Sequence, residues 1–387
     1  MRIAPMRLFV CLVAPLAMAP SASAQSVWPT REWRTSTPTA QGLDTAILSK
    51  LDGEFSSGDH GYVDSFLVIR NGYVVHERSY KHDYDRLFAS APDRTRGPYN
   101  YYDPSWHPYY QRGKLHTMQS VSKSVTSTLI GIAIRRGEIP GVDAKALSYF
   151  DGYKIPDDPR RSRWTLRHLL TMTAGIRWDE DTVPYTDSAN SCARMEESGN
   201  WVQFVLDQPM AHEPGIAFVY NSGATQLLSQ VLKKATGIHA DAYAAEHLFK
   251  PLGISSVYWK HTPTGHPDTE GGLYLGPRDL AKIGYLYLRG GVWEGSQILP
   301  EGWAEASTTA QVDASLDKRG LTYGYQWWVA PSGNTQAYAA LGYGGQHLIV
   351  VPALELIAVF TGWNIYDKPP LDTRFALDRM LQTVKRP

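Results

Sequence analysis

The spacing of apolar positions divides the chain into strand-like ends and a helical middle. GLDTAILSKLDGEF, residues 42 to 55, sets Leu43, Ile47, Leu48 and Leu51 on one face, which predicts an amphipathic helix. SFLVIRNGYVVHERSY, 65 to 80, is two β-rich runs split by Asn71-Gly72, a dipeptide that tolerates positive φ at both positions and so predicts a tight hairpin. Strand-like runs return at LTYGYQWWVA (321 to 330), AYAALGYGGQHLIVVP (337 to 352) and LELIAVFTG (354 to 362). An antiparallel sheet drawn from both ends of the chain is the economical reading.

Between these ends the period is helical. WTLRHLLTM (164 to 172) begins behind Thr165, ATQLLSQVLKKATG (224 to 237) ends on lysines and Gly237, and PRDLAKIGYLYLRGG (277 to 291) opens on proline and closes on glycine. The tract YNYYDPSWHPYY (99 to 110) is the one biased stretch. Its aromatics and prolines predict a loop packed on the body, with lining of a substrate entrance as the alternative.

Composition changes the picture at the N-terminus. Arg2 and Arg7 precede the apolar run LFVCLVAPLAMA and the small residues SASA, which together predict a signal peptide over 1–24, cleaved after Ala24. The run is shorter than the roughly 20 residues a membrane span needs. Residues 25–387 form one domain in this reading, with sheet regions at about 42–115 and 320–387 and a mainly helical region at about 120–310. The expected location is periplasmic or secreted. With Cys11 removed, Cys192 is left alone and no internal disulfide is possible, so stability must come from the core. Thirty-eight basic residues balance 38 acidic ones, which disfavours nucleic acid or an anionic membrane as partner.

The candidate chemistry lies in HTMQSVSKSVTSTLIGIAI, 116 to 134. Ser120 and Lys123 stand one helical turn apart at the mouth of an apolar helix. An N-cap serine followed by a solvated lysine is the plain reading. The sharper one is an SxxK nucleophile, in which burial depresses the lysine so that it helps take the serine proton. The helix N-terminus adds a backbone N–H for an oxyanion. SLDK, 315 to 318, also fits SxxK, but in a polar stretch with no buried helix behind it. There is no GxSxG elbow and no HExxH pair, so neither an α/β-hydrolase nor a zinc site is signalled, and His116 and His168 read as polar core or surface residues.

Five blocks in order, MQSVSKS (118–124), RHLLTMTAGIRWDE (167–180), PGIAFVYNSGATQLLSQVL (214–232), GGLYLGPRDLAKIGYLYL (271–288) and GYGGQ (342–346), resemble the class C β-lactamase-related serine hydrolases. That group includes penicillin-binding D-alanyl-D-alanine carboxypeptidases, esterases and 6-aminohexanoate-dimer hydrolases. The resemblance runs from about residue 42 to about 365. It implies an α+β fold: an antiparallel sheet flanked by helices, a helical region, and the active site in the cleft between them. It also implies that Tyr220 of VYNS shares proton transfer with Lys123, while Asn221 and Ser222 stand on the substrate-binding loop, with Ser222 where the family has asparagine. Tyr343-Gly344-Gly345 would be the substrate-binding strand, without the cation many relatives carry. The N–H groups of Ser120 and Gln346 would form the oxyanion hole.

The reading is an exported serine hydrolase acting on small ester, amide or peptide-like substrates through an acyl-enzyme on Ser120, with no metal or organic cofactor. A D-alanyl-D-alanine carboxypeptidase or β-lactamase using the same residues is the rival enzyme. A non-catalytic binder of peptidoglycan-like ligands is the rival of another class.

Overall fold

A computed structural model describes residues 28–91, 100–111, 115–313, 320–332 and 335–385. The predicted leader and the SLDK stretch at 315–318 lie outside the described residues.

Helix α1 (Thr45–Ser57) starts where the Asp44 side chain accepts from the Ala46 N–H, and ends on Gly58 with positive φ. The hairpin β1 (Val63–Arg70) and β2 (Tyr73–Ser79) turns at Asn71 and Gly72, both left-handed, as their side chains permit. Much later come α2 (Val121–Arg135), α3 (Ser222–Thr236) and α4 (Pro277–Leu288). The C-terminal part supplies β3 (Thr322–Tyr323), β4 (Trp328–Ser332), β5 (Thr335–Gly342), β6 (Gln346–Val351), β7 (Leu356–Gly362) and α5 (Thr373–Thr383).

The seven strands form one antiparallel sheet in the order β2-β1-β7-β6-β5-β4-β3. Chain ends nearly 300 residues apart therefore meet, at the β1–β7 pair. Both faces are covered, which is why β1, β6 and β7 read as nearly continuous apolar runs. On one face Phe55 of α1 stands edge-on to Phe66 and Phe360, which stack on each other at 4.9 Å across β1 and β7. Truncating Phe66 would cost about 3–5 kcal/mol. On the other face α4 lies so close that a Cβ on Gly284 would meet Leu348, Val350 and Ile357. Helix α4, though it lies in the helical middle of the sequence, thus packs on the sheet.

Helix α3 packs on α2, which is buried from Val121 to Ala133, while α5 packs on α1. A small four-stranded sheet that the periodicity does not predict, Tyr110–Gln111, Leu115–Thr117, Leu273–Leu275 and Tyr258–Trp259, ties the start of α2 to the segment before α4. The architecture is the expected α+β one. No helix of the described residues is long and apolar enough to cross a membrane.

Candidate active site

The turn into α2 brings Ser120 to the floor of a cleft of about 610 Å³ between the sheet and the helical region. Gln119 precedes it with φ of 47°, an unfavourable conformation for a residue with a Cβ. Ser120 occupies the N-cap position, yet its hydroxyl makes no capping bond. Its Oγ instead accepts from Lys123 Nζ at 3.0 Å. The plain reading of a capping serine and a solvated lysine is therefore excluded: Lys123 is 1% exposed.

The depressed lysine expected from burial is corrected by its partners. Lys123 Nζ also donates to the Glu270 main-chain carbonyl at 2.9 Å and to the Glu270 carboxylate at 3.0 Å. Desolvation pulls its pKa down, but the electrostatic pull of its acidic neighbours, Tyr220 first and then Glu270 and Glu180, outweighs that, and it lies well above the ordinary lysine value. Lys123 is an ammonium. Its nitrogen stands 5.3 Å from the centroid of the Tyr220 ring, and Tyr220 lines the cleft with Ser120.

The residues after Tyr220 do not reach the cleft. Asn221 is buried and its Oδ1 accepts from the Ala224 N–H, capping α3. Ser222, also buried, donates its hydroxyl and its N–H to the Glu180 carboxylate at 2.8 and 2.9 Å. Neither is among the lining residues, against the expectation that they bind substrate. Their work is to hold the backbone that presents Tyr220. A helix start after an extended Asn makes such a cap, so the local pattern N-S-G-A carried this signal.

Opposite, Tyr343, Gly344 and Gly345 do line the cleft. Gly344 and Gly345 have φ of 84° and 108°, and a Cβ on Gly344 would come within 2.8 Å of the Trp363 ring. Only glycine fits there. The turn is braced by Asn364, which donates its N–H and Nδ2 to the Gly344 carbonyl, each at 2.9 Å. Gln346 is fully buried, and its amide donates to the carbonyls of Tyr343 and Gly362. Tyr343 packs against Tyr101 and Tyr185 at 5.2 and 5.1 Å, and Tyr102 joins the wall. The aromatic tract is thus part of the cleft wall.

Two carboxylates escaped sequence reading. Glu180, at the cleft edge, is pushed up to about 7, chiefly by burial and against the pull of Lys123. Glu270 lies behind Lys123, in TEGG just before the fourth block, where nothing in its neighbours announces a role. Behind Glu270 are Cys192, Glu196, Asp268 and Lys260. Among the described residues, Cys192, Glu196 and Glu270 alone bring a set of possible metal-donor atoms within 4.8 Å of one another, but the Lys123 ammonium already supplies the cation there.

Among the described residues no lysine or arginine lines the cleft. Arg278, the candidate for a distant cation, pairs instead with Glu77 on the outside of the sheet. His347 lines the cleft but burial lowers it to about 4, so it is neutral at pH 7. His116 is buried between Asp64 and the Thr117 carbonyl, and His168 closes the capping box at Thr165, so neither stands in the cleft lining.

Tyr343-Gly344-Gly345, expected as a strand, is the hairpin turn between β5 and β6. A mixed fold with an SxxK pair on the first turn of a buried helix, facing a tyrosine and this glycine-rich turn, defines the class of β-lactamase-fold hydrolases. The chain belongs to the beta-lactamase family, whose model matches residues 60–369. It is 26% identical over 338 residues to the 6-aminohexanoate-dimer hydrolase of Paenarthrobacter ureafaciens, covering 80% of this chain and 74% of that one. Solved structures of similar fold include a penicillin-binding protein homologue from Pyrococcus abyssi, with TM-score 0.61, 18% identity and coverage of 88% of this chain and 77% of that one. Another is EstCE1, a hydrolase with promiscuous acyltransferase activity, with TM-score 0.65, 16% identity and coverage of 90% and 100%. At those identities the structures establish the fold alone.

Proposed function

We propose that the protein is an exported serine hydrolase that cleaves neutral esters or amides through an acyl-enzyme on Ser120. The observation that carries this is the 3.0 Å contact between Lys123 Nζ and Ser120 Oγ at the floor of an open cleft. Ser120 Oγ attacks the substrate carbonyl and its proton passes to the Lys123–Tyr220 pair. The backbone N–H groups of Ser120 and Gln346 take the oxyanion. Collapse of the tetrahedral species breaks the bond to the alkoxide or amine, which receives the proton, and water then releases the acid by the same steps.

Neutral substrates are favoured because the cleft lining offers no cation to a substrate carboxylate, whereas Glu180 and Asp181 both line it. A penicillin or a D-Ala-D-Ala peptide would lose the charge-assisted bond that a cation provides, roughly twice as strong as a neutral one. Export rests on the residues of the leader, and is tested by N-terminal sequencing of protein from the periplasmic fraction: a start at Gln25 is expected, and an intact leader on the folded protein rejects it. The chemistry is tested with a fluorophosphonate and a fluorescent penicillin. Labelling by the fluorophosphonate at the peptide carrying Ser120 supports the reading. Labelling by neither probe leaves the non-catalytic binder instead.

A further inference from the structure

We propose that Glu270 is a positioning residue for this acyl transfer, clamping Lys123 through both its carboxylate and its carbonyl so that the lysine acts throughout turnover as a fixed cation beside Ser120 Oγ and never as the base. The proposal rests on the serine hydrolase reading above and assigns one division of labour within it. The Ser120 proton then passes to the Tyr220 oxygen as the Tyr220 hydroxyl proton passes to the leaving group, while Lys123 keeps its three protons.

The geometry points this way on three counts. First, the ammonium has three protons and three acceptors, namely Ser120 Oγ, the Glu270 carbonyl and the Glu270 carboxylate, at 2.9 to 3.0 Å. A neutral amine has only two protons to give, so one of those acceptors would stay unmet in a buried site, at a cost. Second, a lone buried ammonium is expensive, and a carboxylate in hydrogen-bond contact is what retains it. Third, Glu270 is itself held from behind: the Cys192 thiol donates to its other oxygen at 3.7 Å. The charged and titratable groups around it are Lys123 from α2, Cys192 and Glu196 from the helix Ser191–Glu197, Glu180 beyond Lys123, Tyr101 from the aromatic tract, and Asp268 and Lys260 from its own loop. Among the described residues, the Glu270 carboxylate is the one in ion-pair contact with Lys123, which favours a retained cation.

Base and cation predict opposite signs when the carboxylate is removed. Glu270→Gln weakens the hold on the Lys123 proton, so a neutral amine appears at lower pH. If Lys123 must be a cation, kcat falls about 10²-fold at pH 7 with KM changed less than about twofold, and a new alkaline limb appears at least about one pH unit below that of the wild type. Glu270→Asp, which keeps the charge, restores part of kcat and removes the early limb. If Lys123 is the base, Glu270→Gln is as fast or faster near pH 7, and the proposal fails. An unchanged kcat and pH profile also overturns it, since Glu270 then only fills space. Should the variant not fold, ¹⁵N-lysine NMR of the wild type decides: the Nζ resonance absent from Lys123→Arg must show an ammonium shift at pH 7 to 9, and an amine shift rejects the assignment. Failure of the parent reading looks different, as wild-type Ser120 then takes no fluorophosphonate.

Discussion

Ser120 stands where a helix cap belongs and caps nothing, because its hydroxyl is turned to Lys123. Ser315 fits the same SxxK spacing, but in a polar stretch of the sequence with no apolar helical pattern behind it. Ser120→Ala should lower hydrolysis of a p-nitrophenyl ester by at least about 10³-fold, while Ser315→Ala leaves it near wild type. Loss in the folded Ser315 variant would move the nucleophile. Tyr343 belongs to the same scale. The wild type should show a higher kcat/KM on the ester or a linear amide than on benzylpenicillin, and Tyr343→Lys should narrow that difference by supplying a cation. A wild-type preference for the penicillin would replace the ester and amide reading with the β-lactamase one.

At the scale of the element, α3 begins on the Asn221 cap, one residue after Tyr220. Loss of a capping side chain costs about 0.5–2 kcal/mol. Asn221→Ala should therefore lower stability by about 1 kcal/mol in denaturant titration. If Asn221 only caps, KM should change less than about twofold, whereas a KM rise with unchanged stability would return it to substrate binding. The helix itself is legible in the sequence from its period, its terminal lysines and Gly237. The cap is local as well, but the expectation that Asn221 stands on the substrate-binding loop overrode it. Where α4 packs was not legible, because an amphipathic pattern shows that a face is buried and not against what.

At the scale of the molecule, a cluster of buried acids sets the pH response. Burial raises Glu180 to about 7 and Glu196 to about 8, both above the usual range for an unfolded carboxyl. From the unfolded carboxyl range up to about pH 8 the folded protein therefore holds protons that the unfolded chain has released. Stability falls as pH rises, most plainly from about pH 6.5 to 8, above the range of the buried histidines. Thermal unfolding should show Tm declining across that window, and Glu196→Gln should reduce the slope. A Tm that rises over the same range would contradict these ionisation states. Buried His347 and His266, both lowered to about 4, act in the opposite sense on the acid side, below about pH 6.5.

The sequence by itself determined what depends on neighbours in the chain. The turn at Asn71-Gly72, the helix behind Asp44, the sheet drawn from both ends, and the pairing of Ser120 with Lys123 all follow from spacing and from which residues tolerate positive φ. The ordered blocks marked the family because they preserve that spacing. Only the tertiary structure decided the state of Lys123. Burial alone predicts a depressed amine, and the groups that reverse the prediction, Tyr220 and then the Glu270 carboxylate, come from distant segments, Glu270 from 147 residues away. The same folding turned Asn221 and Ser222 inward, paired Arg278 with Glu77 instead of the cleft, and brought Tyr102 to its wall. Charge on a buried group is set by what surrounds it in three dimensions, and a linear pattern does not record which distant residue supplies the countercharge.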